Sequence, residues 1–145
     1  MKPPSLSSET IHASCIAIGG AAVLIAGRSG SGKSDLALRL IDRGARLVSD
    51  DYTLLRRVEG RLLANAPANI AGKIEMRGIG IIEMEQVSDV PVALLVDLDQ
   101  APQRLPGGGE TRMIAAVPVP TIGLSALEAS APLKVEAAAK LFGIT

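Results

Sequence analysis

The sequence predicts an α/β domain, a mixed β-sheet with flanking helices that carries a phosphate-binding loop. Three observations predict it. An apolar, strand-length run, Ala21–Ala26, leads directly into the glycine-rich segment Gly27–Ser34. That segment is followed by apolar residues at Leu36, Ala37, Leu40 and Ile41, the spacing of one helix face. A second strongly apolar strand, Val92–Leu98, lies far downstream. A chain of 145 residues, 48% of them hydrophobic, suits one domain with one core.

Taken in order, Met1–Thr10 is polar and proline-containing and predicts a flexible N-terminal tail, with the folded domain spanning residues 11–145. Ile11–Ile18 and Ala21–Ala26 flank Gly19-Gly20, a two-residue hairpin signal. The helix over Ser34–Arg43 should end at Gly44, where a C-cap glycine belongs. Ala45–Val48 is a short strand running into Ser49-Asp50-Asp51. Tyr52–Val58 and Arg61–Leu63 flank Glu59-Gly60, a second hairpin signal. Lys73–Met84 mixes isoleucines with Arg77, Gly78 and Gly80, and the glycines favour a loop. Gln100–Thr111, with two prolines and three consecutive glycines, reads as a mobile loop. Leu133–Leu141 is a terminal helix with Pro132 at its first turn.

The bulk composition excludes several functions. Fifteen basic residues balance fifteen acidic ones, so the excess positive charge that drives nucleic-acid binding is absent. Tyr52 and Phe142 are the only aromatics, which leaves no base-stacking platform and requires any adenine pocket to be aliphatic. Cys15 is the only cysteine, precluding an internal disulfide, and its apolar surroundings predict a buried thiol. The longest apolar stretch, Ile16–Ala26, is broken by two glycines and falls well short of the roughly 20 residues needed to cross a bilayer. Met1–Thr10 lacks a signal-peptide pattern, so the cytoplasm is the expected location, with no membrane partner.

Gly27-Arg28-Ser29-Gly30-Ser31-Gly32-Lys33-Ser34 fits G-x-x-x-x-G-K-[ST] at every specified position. Glycines let successive N–H groups turn inward toward phosphate oxygens, and the helix that follows adds its positive end. Lys33 supplies a mobile charge for the β- and γ-phosphates, and the Ser34 hydroxyl a magnesium ligand. A chance match is expected on the order of once in a hundred chains of this size; the strand before and helix after reduce that further. ATP and Mg2+ are therefore the expected cofactors.

Such a loop needs a strand-end carboxylate near the metal. Asp50-Asp51 and Asp97 are both candidates. Adjacent aspartates on an extended segment point opposite ways, so one can face the metal and the other an incoming hydroxyl. On the residues alone, the Asp50-Asp51 pair reads equally well as a solvated turn, Glu75 and Arg77 as part of an exposed loop, and His12 as a structural histidine.

The run Arg43-Gly44-Ala45-Arg46-Leu47-Val48-Ser49-Asp50-Asp51 after the loop and helix, and Ile74–Glu83 (IEMRGIGIIE), together resemble the C-terminal catalytic domain of the HPr kinase/phosphorylases. The second segment is the more diagnostic, being similar to that family's L-E-I-R-G-L-G-I-I signature. The resemblance runs from about His12 to Pro120 and implies a serine kinase acting on an HPr-like phosphocarrier protein of the phosphotransferase system, possible as a homo-oligomer. It implies Asp51 as proton acceptor, Lys33 on the phosphates, His12 near the transferred phosphate, and Ser34 and Glu75 around magnesium, which leaves Asp50 as the member of the pair that faces the metal. Arg104 matches a family arginine loosely. The family's N-terminal domain has no counterpart, as expected of a short form. Gly123–Glu128 stands where the family carries P-V-R-P-G-R, which predicts weak phosphorylase activity. A small-metabolite kinase and a nucleotide-sensing module are the competing readings; a GTPase lacks its N-K-x-D motif.

Overall fold

The computed structural model describes residues 7–103 and 110–142. Eleven strands and two α-helices alternate among them: β1 (Ser8–Ile11), β2 (Ala13–Ile18), β3 (Ala21–Ala26), α1 (Lys33–Asp42), β4 (Arg46–Ser49), β5 (Thr53–Val58), β6 (Arg61–Asn65), β7 (Lys73–Met76), β8 (Gly80–Glu83), β9 (Val90–Asp97), β10 (Thr111–Ile114), β11 (Val117–Gly123) and α2 (Ala131–Phe142). Nine strands form a mixed sheet in which β1-β5-β6-β9-β3-β2-β4 run side by side. The strand β9 is its hub. Its first residues pair antiparallel with β6, its later ones parallel with β3 and with β11.

Side-chain alternation along the central strands splits the core into two layers. Cys15, Leu24 and Leu95 face one way, packing with Ile11, Val48, Leu55, Ile114 and Val119. Ile16, Val23, Ile25, Leu94 and Val96 face the other way, against Leu36, Ala37 and Leu40 of α1 and Ala131 and Val135 of α2. The helix α1 sits on that face because its apolar stripe recurs every three to four residues. It ends in a Schellman motif: Gly44 N–H donates to Ile41 C=O and Ala45 N–H to Leu40 C=O, both at 3.0 Å, with Gly44 at φ 109°. Arg43 bonds Glu136 across to α2, and the carboxylate raises the guanidinium pKa.

Two expectations are corrected. Ser8–Thr10 is not a frayed tail: it pairs antiparallel with β5, Ser8 opposite Arg56 and Thr10 opposite Leu54. The segment expected as a loop at Lys73–Met84 contains the hairpin β7–β8, in which Gly78 (φ 86°) and Gly80 (φ 129°) supply the turn rather than break a strand. The strands β10 and β11 carried no legible signal. Their turn is built on Ala115 and Ala116, both at positive φ without a glycine or asparagine, and β11 holds Pro118 and Pro120. Arg104 and the Gly107–Gly109 run lie outside the described residues. No described helix is long and apolar enough to cross a membrane.

Candidate active site

The loop joins the buried strand β3 to α1. Its curl requires glycine at both ends. A Cβ on Gly27 would meet Ser31 Oγ at 2.5 Å and Leu98 Cβ at 3.2 Å. One on Gly32, at φ 100°, would come within 3.1 Å of Ala126 Cβ. Asp99, just past β9, fixes the outer arm by accepting from Arg28 N–H at 2.9 Å. Lys33 is buried and folds back over the loop, donating from Nζ to Gly27 C=O (2.9 Å) and Arg28 C=O (3.1 Å). The charge is thus held inside the ring of backbone groups.

The carboxylates arrive from the end of β4. Asp50 is buried and accepts three bonds: Ser34 Oγ–H at 2.5 Å, Ser14 Oγ–H at 3.0 Å and Glu75 N–H at 3.0 Å. Asp51 does not continue the strand. It sits at φ 67° in a three-residue turn closed by Tyr52 N–H to Asp50 C=O at 2.7 Å. This is the strained, positive-φ form of the γ-turn. The two aspartates were expected to diverge as neighbours on an extended segment. The kink instead sends both toward the loop: Asp50 to Ser34, Asp51 to within 4.0 Å of Lys33 Nζ. His12, between β1 and β2, donates from Nε2 to Asp51 Oδ1 at 2.8 Å. The Tyr52 ring stacks on it with centroids 5.0 Å apart. Asp51 is 53% exposed, so an incoming group can reach it.

His12, Lys33, Ser34, Asp50 and Asp51 therefore form one connected cluster. Glu75 joins it through its backbone, on the first strand of the β7–β8 hairpin, with its residue exposed. Asp97, the competing strand-end acid, turns its Oδ1 to Asp99 N–H at 2.9 Å and braces its own turn. Sequence reasoning missed Ser14, Tyr52 and Asp99. A serine inside an otherwise apolar strand and an aromatic directly after two aspartates were the available signals; for Asp99 there was none.

The donor set beside the loop has the chemistry of a magnesium site. Ser34 Oγ and the Asp50 carboxylate are hard oxygen ligands in contact at the start of α1, the ligand chemistry magnesium prefers beside phosphate. The residues fit. On the loop's other flank a cavity of about 460 Å3 opens between Arg28–Ser31, Leu98–Pro102 and Leu124–Leu127. Its apolar wall is aliphatic, as the scarcity of aromatics requires.

A model of the HPr Serine kinase C-terminal domain family matches residues 5–122. The chain belongs to that family. It is 38% identical over 103 residues to an HPr kinase/phosphorylase of Clostridium tetani, covering 66% of this chain and 34% of that one. An HPr kinase/phosphorylase of Lacticaseibacillus casei is 36% identical over 127 residues, covering 79% and 40%. The chain thus spans between about a third and two fifths of these relatives' length. The solved Hpr(Ser) kinase/phosphatase from Coxiella burnetii superposes with a TM-score of 0.78 at 32% identity, covering 92% of this chain and 95% of that one. The α/β fold with its mixed sheet is that family's fold. The names of these relatives carry the dephosphorylating activity as well as the kinase, so they lend no support to the expectation of weak phosphorylase activity.

Proposed function

We propose that this domain transfers the γ-phosphate of ATP to a serine hydroxyl of an HPr-like phosphocarrier protein. The observation that carries the proposal is the direct contact between the phosphate-binding and proton-accepting halves of the site: Ser34 with Asp50 at 2.5 Å, and Lys33 within 4.0 Å of Asp51. A phosphate seated in the loop lies beside a reachable carboxylate.

In the forward reaction the acceptor Oγ attacks the γ-phosphorus. Its proton passes to Asp51, whose Oδ1 is steadied by His12 Nε2–H. The bond from phosphorus to the β,γ-bridging oxygen breaks, and ADP leaves with that electron pair. Lys33, already buried against the loop, opposes the charge building on the phosphoryl oxygens. Ser34 and Asp50 would hold magnesium, with Glu75 beside them; the ion supplies charge neutralisation at the phosphates. The cavity beside Arg28–Ser31 takes the nucleoside. With this activity the protein acts in the cytoplasm, where ATP and carrier proteins meet.

The test is incubation with γ-labelled ATP, magnesium and a purified HPr-like protein. Phosphoserine on the carrier supports the proposal. Label on a small metabolite, or nucleotide binding without transfer, overturns it. The reverse direction is read separately, as pyrophosphate released from phosphoserine carrier and inorganic phosphate.

A further inference from the structure

The strand β2 places Ser14, Ile16 and Ile18 on the face that packs against α1. Ile16 fills that face as expected. Ser14 is as inaccessible as Ile16, at 0% exposure, yet carries a hydroxyl. A buried hydroxyl is costly unless bonded. Both of its bonds go to the carboxylate turn: Oγ–H donates to Asp50 Oδ1 at 3.0 Å, and Oγ accepts from Asp51 N–H at 3.0 Å.

Those bonds fall where the turn most needs them. A non-glycine residue at φ 67° is held only when its surroundings over-determine it. Within the turn, Tyr52 N–H closes on Asp50 C=O and Ser49 Oγ–H donates to Tyr52 C=O. The Tyr52 bond holds that peptide plane by its carbonyl from inside the turn, and neither bond engages the Asp51 N–H. Ser14 does so from a separate strand. The same oxygen orients the Asp50 carboxylate that receives Ser34 Oγ–H.

We infer that Ser14 is a positioning residue, one hydroxyl that sets the directions of both carboxylates, Asp50 toward Ser34 and Asp51 toward His12 and Lys33. Resting on the proposed phosphoryl transfer, this assigns a role in turnover to a residue that touches neither nucleotide nor acceptor.

The experiment compares Ser14→Thr with Ser14→Val, nearly equal in volume and both at home in a strand, differing in the hydroxyl. The Thr variant should keep kcat within about threefold of wild type. The Val variant should lose about 10- to 100-fold in kcat, because small misplacements of reacting groups are costly, with KM for ATP rising by a smaller factor because Asp50 keeps its bonds from Ser34 and Glu75. A second readout needs no turnover: in nucleotide-free protein, the Asp51 amide should exchange its hydrogen about 5- to 10-fold faster in the Val variant than in the Thr variant. If Val does not fold, Ser14→Ala takes its place against wild type under the same criteria. Equal kcat and equal amide exchange in the hydroxyl-bearing and hydroxyl-free variants overturn the inference. A fall in ATP affinity that accounts for the whole effect also overturns it. Should wild type itself transfer no phosphate, the functional reading fails, and the amide exchange still decides whether Ser14 holds the turn.

Discussion

In the phosphate loop the positive-φ positions are glycines, Gly30 at 82° and Gly32 at 100°; in the carboxylate turn the positive-φ residue is Asp51 at 67°. The loop takes most of its shape from residues contiguous in the chain, with a distant brace from Asp99 on its outer arm, and glycine enters that region without strain. The turn takes an unfavourable shape at an aspartate, and it is held by bonds from elsewhere: Ser14 on β2, His12 before it and Glu75 on β7. The difference teaches where each half is fragile. The loop fails by local substitution. The turn fails when any of its distant supports is withdrawn.

The sharpest break is Lys33→Ala. Its ammonium makes only loop and site contacts, so the fold should survive while kcat falls about 100- to 1000-fold. Circular dichroism with a steady-state kinase assay checks both halves of that statement; near-normal turnover would remove the loop from the mechanism.

Next come the two aspartates. Asp51→Asn should lower kcat about 100-fold with ATP affinity nearly unchanged, since a proton acceptor acts in the transition state. Asp50→Asn should instead weaken magnesium-dependent ATP binding, measured by titration calorimetry with and without the metal. If Asp97→Asn proved more damaging than either, the brace it forms with Asp99 would be the wrong account of that residue.

Backbone strain separates the two regions more gently. Gly32→Ala should cost about 1–3 kcal/mol, from a strained φ and a Cβ 3.1 Å from Ala126. Asp51→Gly should leave stability unchanged or raise it by up to about 1 kcal/mol while abolishing transfer. Urea unfolding of the pair reads the contrast directly, and a destabilised Asp51→Gly would mean that the turn is not strained.

The smallest effect is expected at Cys15, next to Ser14 but facing the opposite core layer. Burial pushes its thiol pKa well up, so the reactive thiolate is suppressed across the physiological range. A thiol reagent added to native protein should label it only as fast as the protein opens. Rapid stoichiometric labelling would place Cys15 outside the core.

The phosphate loop, its flanking strand and helix, the Gly44 cap and two hairpins were legible because each rests on neighbours in the chain. The strand β10 and the first part of β11 were not, because an Ala115-Ala116 turn and two strand prolines contradict the usual preferences. What overrides them is tertiary. Glu9 accepts from Ala115 N–H at 3.0 Å and Arg57 donates to Ala115 C=O at 2.8 Å, tying that turn to β1 and β5. Ser8–Thr10 likewise became a strand only because β5 offered it an edge.

By itself the sequence determined that a glycine-rich loop of the phosphate-binding pattern joins a strand to a helix, which residues line it, and which carboxylates were eligible to face it. All of these are properties of residue type and short-range spacing. Only the tertiary structure chooses between these carboxylates geometrically, bringing Asp50 to Ser34 and Asp51 to Lys33 while turning Asp97 to Asp99. That choice depends on which strand end lies beside Ser34, and it turns on a kink at Asp51 that no local preference favours. The kink persists because a hydroxyl from β2 and a histidine before it meet the turn in space, and contacts between residues so far apart in the chain have no periodicity to read.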